Sequence, residues 1–203
     1  MGVAIRAAGE GDREAVVRLL DEAFRDDPVS RWVFLDEEYL RATHHRLMAA
    51  FTDIVLAEGW IDVTEDGSAC ALWLSVPAAG PDDGHAAEDD GPALVRAAVD
   101  PANERVELIG RLTAEIHPAE RAHAYLWMIG VAPHRRGEGL GSALIQAVLD
   151  RCDRDGLPAY LEASNADSRR LYERLGFAVM ADRVLELPDG PPMWPMWREP
   201  DAG

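Results

Sequence analysis

The sequence predicts an α+β domain with αβα layering, and three observations carry that prediction. An apolar run ending at Val131 leads into a basic, glycine-rich turn and then into a helical pattern. There Leu140, Leu144 and Val148 recur every four residues, with Ile145, Leu149 and Cys152 beside them. Trp60 to Thr64 and Ala69 to Val76 flank Asp66-Gly67, which is the pattern of a β-hairpin. Phe177 to Leu187 and Met193 to Arg198 bracket Pro188-Asp189-Gly190-Pro191-Pro192 and read as a second hairpin. Strands therefore precede and follow a central helix, in a chain of 203 residues that suffices for one domain with a full core.

The elements follow in order. Ile5-Arg6-Ala7 reads as a short, edge-like strand. Asp12 caps a helix that puts Val16, Leu20, Ala23 and Phe24 on one face, and Asp27-Pro28 stops it. A second helix runs from about Glu37 to Ala57, with Leu40, Leu47, Phe51 and Ile54 inward. Residues 77–92 hold three prolines, three glycines and five acids, which predicts a mobile acidic loop within the domain. Helical patterns occupy about 93–116 with a break near Pro101. Gly156 stops the central helix, and a short strand spans Ala159 to Ala163. Asn165 then suits an N-cap, Asp167 the first turn of a helix and Gly176 the position just past its end. The domain spans residues 3–198 and leaves 199–203 as a tail.

Composition narrows the function. The net charge of −17, from 37 acids against 20 bases, opposes a nucleic-acid partner. It would attract a cationic amine, or simply keep the surface soluble. Every basic side chain is arginine, as GC-rich, bacterial codon usage would produce. No stretch has the length and apolarity of a membrane span, the N-terminus lacks a secretory apolar core, and Arg6 spoils a myristoylation signal after Gly2. Cys70 and Cys152 have the neighbours of buried apolar residues, so a reduced, cytoplasmic protein without a metal set is expected. His44 and His45 point about 100° apart on a helix and have no third ligand in view.

Strand, basic glycine turn and helix start form the layout of an anion site. Free N–H groups and the helix dipole face a negative group, and glycine lets it come close. The expected ligand is a phosphate or a pyrophosphate, although such a turn taken alone can also be purely structural. A P-loop requires a lysine that this chain lacks, and a dinucleotide fingerprint requires glycine where Ser142 stands. The turn Arg135-Arg136-Gly137-Glu138-Gly139-Leu140-Gly141, after a strand ending Gly130-Val131-Ala132-Pro133, resembles the pyrophosphate loop of the GNAT N-acetyltransferase superfamily. Asn165, Tyr172 and Gly176-Phe177 are similar to the closing motif of the same family.

The resemblance implies a mixed, mostly antiparallel sheet splayed between its fourth and fifth strands, with acetyl-CoA as co-substrate and no metal. Arg135, Arg136, Gly137, Glu138, Gly139, Leu140, Gly141 and Ser142 would hold the pyrophosphate. Main-chain groups around Ile129, Gly130 and Val131 would run along the pantetheine arm. Asn165 would contact that arm or the local backbone, and the Tyr172 hydroxyl would lie by the thioester sulfur. Ala69 to Pro77, Leu157 to Glu162, Tyr172 to Phe177 and Gly190 to Trp197 resemble the puromycin N-acetyltransferase branch in particular.

Acetyl transfer to an amine needs a group to take the ammonium proton, donors for the oxyanion and an acid for the leaving thiolate. Tyr172 is the candidate acid, since a phenol is protonated at neutral pH. The candidate bases are His123 and Glu162. His123, Tyr125, Trp127 and Ile129 should alternate onto one strand face, so that His123 aims into the cleft. Trp32, Phe34 and Asp27 are the candidate acceptor contacts, while Trp60, Trp73 and Trp127 suit the core. The expected activity is direct, ternary-complex transfer of acetyl to a primary amine of a small molecule. A non-catalytic CoA-binding sensor and a peptide or protein N-acetyltransferase are the alternatives. The chain is expected to be a monomer or a homodimer, with Met193 to Trp197 serving as packing or as a dimer edge.

Overall fold

The structure, a computed structural model, describes residues 3–80 and 90–201. Most of the acidic segment expected as a loop at 77–92 lies outside the described residues. Strands β1 (Ile5–Ala7), β2 (Trp60–Thr64), β3 (Ala69–Val76), β4 (His123–Val131), β5 (Ala159–Ala163), β6 (Ala178–Val179), β7 (Leu185–Glu186) and β8 (Pro192–Arg198) alternate with seven helices among the described residues. These are α1 (Arg13–Phe24), α2 (Pro28–Val33), α3 (Glu37–Glu58), α4 (Gly91–Val99), α5 (Glu104–Ile116), α6 (Leu140–Asp155) and α7 (Ala166–Arg174). The sheet order is β1-β2-β3-β4-β5-β8-β6, with β7 paired to β8. All pairs are antiparallel except β4 with β5.

Two apolar layers hold the sheet between helices. On one face Cys70 and Leu72 of β3 and Met128 of β4 pack with Leu20 of α1 and Leu47 and Met48 of α3. On the other, Ala69, Ala71 and Trp73 pack with Leu144, Ile145, Val148 and Leu149 of α6, and with Tyr172 of α7. That is the αβα layering expected from the period-2 strands and the period-3.6 helices. Gly130 matters for the first layer, because a Cβ there would stand 3.1 Å from Leu20 Cδ2 and 3.4 Å from the Ala23 Cβ. Its absence lets α1 approach β4.

Three local expectations change. Asp27-Pro28 opens a helix as well as following one: the Asp27 carboxylate accepts from the Val29 N–H at 2.9 Å and caps α2, with Pro28 at its first position. The segment Phe177–Leu187 is two short strands around a 3-10 turn at Ala181–Arg183, so the closing hairpin is β7–β8 alone. Finally, β8 lies inside the sheet between β5 and β6, so Met193 to Trp197 is packing and not a free edge. Met196 at its centre is fully buried.

The feature that positions the site is an extra residue in β4. Met128 stands opposite Leu72, but Leu126 stands opposite Trp73, which leaves Trp127 unpaired in a β-bulge. Two hydrogen bonds confirm the shift. Ala124 N donates to Pro158 O toward the β5 side, whereas Ala132 N donates to Ser68 O toward β3. Residues an even number apart should point the same way, and only the inserted residue reconciles these two. The expected alternation of His123, Tyr125, Trp127 and Ile129 therefore fails at the bulge. Trp127 packs on Phe51 toward α3, while Ile129 turns to the α6 face.

Candidate active site

Parallel pairing of β4 with β5 covers only Ala124 to Leu126 against Ala159 to Leu161. Beyond Leu126, the bulge turns the main-chain groups of Ile129 and Val131 away from β3, toward the side where β5 has departed. Among the described residues no strand pairs with them there. This is the splay that the resemblance implied, and it leaves donors and acceptors suited to an extended amide-bearing chain.

At the wide end of the splay lies the glycine turn. Gly137 and Gly139 adopt φ of +83° and +81°, conformations that favour glycine. Gly139 caps α6 without a side chain, and the first helical amide taken up is that of Ala143, by Gly139 O at 3.0 Å. The N–H groups of Leu140, Gly141 and Ser142 are therefore the unpaired donors of a helix start, presented together on an exposed turn. Arg135 spans Glu138 (2.7 Å) and Asp66 (2.9 Å), and Arg136 donates to Ala23 O at 2.8 Å. Gly141 lies over β4, where a Cβ would make ordinary contacts with Ile129 Cδ1 at 3.5 Å and Val131 Cγ2 at 3.6 Å.

At the narrow end stands Glu162, the first β5 residue past the last pair. Tyr125 Oη donates to Glu162 Oε2 at 2.7 Å. The Glu162 side chain is only 4% exposed, and its Oε1 has no hydrogen-bond partner. Burial lifts the carboxyl to about 7, against the opposing pull of the Tyr125 hydrogen bond. Tyr160 neighbours it on the same strand face, and burial first, then the Glu162 charge, raises both phenols.

Tyr172 lies across the sheet from Glu162, on the α6 side, buried against Phe177 with ring centroids 6.2 Å apart. Burial and the nearby Asp27 charge raise its phenol well above the ordinary value, so it stays protonated. Asn165 caps α7, its Oδ1 accepting from the N–H groups of Asp167 (3.1 Å) and Ser168 (2.9 Å). Asp27 Oδ2 in turn accepts from Ser164 Oγ at 2.6 Å and Asn165 Nδ2 at 3.3 Å. Asp27 thus ties the start of α2 to the start of α7, and its oxygens are committed to the protein.

The remaining candidates separate. His123 is fully buried; its Nδ1 lies 2.7 Å from Arg121 O and its Nε2 3.0 Å from His117 Nε2, so it does not open into the cleft. Phe34 is buried against Tyr39 and His44. Trp32 donates to Pro188 O at 2.8 Å, lies under the Arg105 guanidinium, and walls a cavity of about 460 Å³ with Glu104, Arg105, Pro188 and Asp189. His44 bonds Asp21 and Ser30, and no group of three metal-ligating side chains occurs among the described residues. Tyr160 and His117 escaped the sequence reading, and Tyr125 figured in it only as a strand-face neighbour of His123, since only the fold brings the three to Glu162.

A sheet splayed between β4 and β5, with a glycine-rich helix start at its wide end, is the architecture of an acyltransferase of the acyl-CoA type. Residues 13–177 match the acetyltransferase (GNAT) family, and the chain belongs to it; members use acetyl-CoA. It is 27% identical to an uncharacterized N-acetyltransferase of Schizosaccharomyces pombe over 97% of this chain and 83% of that protein. It is 38% identical to the L-2,4-diaminobutyric acid acetyltransferase of Marinococcus halophilus, over 36% of this chain and 45% of the relative. Arylalkylamine N-acetyltransferase 2 from Aedes aegypti shares the fold, with a TM-score of 0.69 at 15% identity, covering 99% of this chain and 100% of that one.

Proposed function

We propose that this N-acetyltransferase moves acetyl from acetyl-CoA to the primary amine of a small, cationic molecule by direct transfer in a ternary complex. The observation that carries the reading is the Glu162 carboxyl, lifted to about 7 at the point where β4 and β5 part. An ammonium group delivered there gives its proton to Glu162, and the freed amine attacks the thioester carbonyl. Main-chain donors of the splayed β4 stabilise the oxyanion, and the C–S bond breaks with the Tyr172 hydroxyl protonating the thiolate. The amides from Gly139 to Ser142, with Arg135, Arg136 and Gly137, hold the pyrophosphate. Main-chain groups of Ile129 and Val131 hold the pantetheine arm.

A tyrosine at 172 supports an enzyme over a CoA-binding sensor. The named diaminobutyrate substrate of the partial relative supports an amine with a second charge nearby, in keeping with the net charge of −17. The likeness of Ala69 to Pro77 and of the closing Gly190 to Trp197 segment to the puromycin N-acetyltransferase branch supports a small-molecule acceptor over a peptide. Trp32, at the cavity wall, is the aromatic acceptor contact we retain. Two free, buried cysteines suit a reducing bacterial cytoplasm.

A panel of amines assayed by thiol release tests the reading. Diamines and other cationic amines should be turned over fastest, with dependence on salt. Preference for acidic amines, or for peptide N-termini over every small amine, would overturn it.

A further inference from the structure

Glu162 is well placed to receive a proton and badly placed to lose one. Its side chain is 4% exposed, and Tyr125 donates to Oε2. Oε1 faces His117 Nδ1 at 3.9 Å, at the C-terminal end of α5. Tyr125 and Tyr160 are held protonated by burial and by the carboxylate itself, so neither phenol accepts a proton. Arg183, which donates to Ile116 O, is the cation bearing on His117.

The hydrogen bonds fix the histidine tautomers. Arg121 O can only accept, so His123 Nδ1 carries a hydrogen and donates to it at 2.7 Å. Burial keeps His123 neutral, which leaves its Nε2 as an acceptor. His117 Nε2 stands 3.0 Å away and must donate. His117 is also kept neutral, by burial first and by His123 and Arg183 next, which lower it to about 4. Its Nδ1 therefore carries a lone pair, 3.9 Å from Glu162 Oε1. A chain continuing through His123 would end at the Arg121 carbonyl, which cannot pass a proton on. His117, by contrast, keeps 20% of its side chain in solvent.

We propose that His117 is the proton relay of this site: it takes the proton from Glu162 through Nδ1 and delivers it to water, while His123 holds its tautomer. The Glu162 O–H bond breaks as an N–H bond forms at His117 Nδ1; that same Nδ1–H bond then breaks to a water molecule, which leaves as hydronium, while the Nε2–H stays with His123. Closing the gap to hydrogen-bond length takes a movement of roughly 1 Å. A relay less basic than its donor holds the proton only in transit, which keeps Glu162 from being trapped as a permanent ion pair. The inference rests on Glu162 as the base.

The test compares His117→Ala, His117→Gln and Glu162→Gln in the full chain. For His117→Ala, kcat should fall roughly tenfold or more, while KM for amine and acetyl-CoA stays within about twofold. Added imidazoles of similar size should restore turnover in order of their basicity. His117→Gln keeps an N–H donor toward His123, so it should fold like the parent and still lose turnover. It serves as the working variant if alanine unfolds the chain. Parental kcat in the His117 variants, or rescue that ignores basicity and so reports cavity filling, overturns the relay. Parental turnover in Glu162→Gln overturns the base instead. An inactive Glu162→Gln beside fully active His117 variants removes the relay alone.

Discussion

Tyr125 and Glu162 meet where the β4–β5 ladder ends, phenol to carboxylate at 2.7 Å, the tyrosine one residue before the last pair and the glutamate one residue past it. The pairing places a carboxyl in a dry position and gives its ionised form the Tyr125 hydroxyl as a donor. Burial outweighs that donor, which is why the group sits near 7. In the acid limb of kcat/KM against pH, an ionisation near 7 should appear. Tyr125→Phe removes the donor that favours the charged form, so the limb should move to higher pH. A limb that stays in place would separate the tyrosine from the base.

The same carboxyl has a stability signature. Its folded-state pKa lies above the value of 4.5 for a free glutamate, so the folded protein holds the proton more tightly than the unfolded chain. Stability from this group is complete below about pH 4.5 and is lost as pH rises through about 7, for a total of roughly 3 kcal/mol. Glu162→Gln should therefore be more stable than the parent at pH 7.5, by up to that order, and indistinguishable from it near pH 4. Urea unfolding at the two pH values measures the difference. A variant that gains nothing at pH 7.5 would place Glu162 in water.

Within the glycine turn the three glycines should respond differently. Gly137 and Gly139 have positive φ and open space around a built Cβ, so the cost of a side chain there is backbone strain, roughly 1–2 kcal/mol. Gly139→Glu adds a negative charge at the helix start and should abolish the rise in Tm that acetyl-CoA gives the parent. A Cβ at Gly141 meets ordinary contacts of 3.5 and 3.6 Å, inside a helix. Gly141→Ala should fold at least as well as the parent. Thermal melts with and without acetyl-CoA distinguish the cases, and equal responses at 139 and 141 would count against the assignment.

What the sequence revealed and concealed divides by range. The glycine turn, the Asn165 cap, the closing Gly176 and the two-layer core depend on residues within a few positions of each other, so spacing alone displayed them. The Trp127 bulge lies in an apolar run with no glycine or proline next to it, and a strict period of two put Ile129 on the wrong face. His123 looked like a cleft residue because strict alternation put it on one strand face with Tyr125, Trp127 and Ile129. The fold buries it behind His117, from the end of a helix six residues earlier. Asp27 looked like a charge for the substrate, yet Ser164 and Asn165, more than 130 positions away, claim its carboxylate. Such long-range pairings leave no periodic trace.

Tyr172 is the group on which the enzyme reading turns. Its hydroxyl belongs to a ring already packed against Phe177, so Tyr172→Phe leaves the apolar contacts in place and should change stability by under about 1 kcal/mol. If the hydroxyl protonates the leaving thiolate, kcat should fall on the order of 100-fold while CoA affinity holds. Unchanged turnover would remove Tyr172 as the acid.

Asp27 should act on the same step from a distance. It caps α2 through Val29, and it accepts from Ser164 and Asn165 where α7 begins and carries Tyr172. Asp27→Ala loses a helix cap worth about 1 kcal/mol and leaves the Ser164 hydroxyl and Asn165 amide to find other partners. Stability should drop by roughly 1–3 kcal/mol, and kcat should drop with it, because the start of α7 is no longer tied to α2. Asp27→Asn keeps an oxygen for the Val29 amide but lacks the second acceptor, so it should fall between parent and alanine in both measurements. If Asp27→Ala lost stability yet kept full kcat at a temperature where it stays folded, the aspartate would be a helix cap and nothing more.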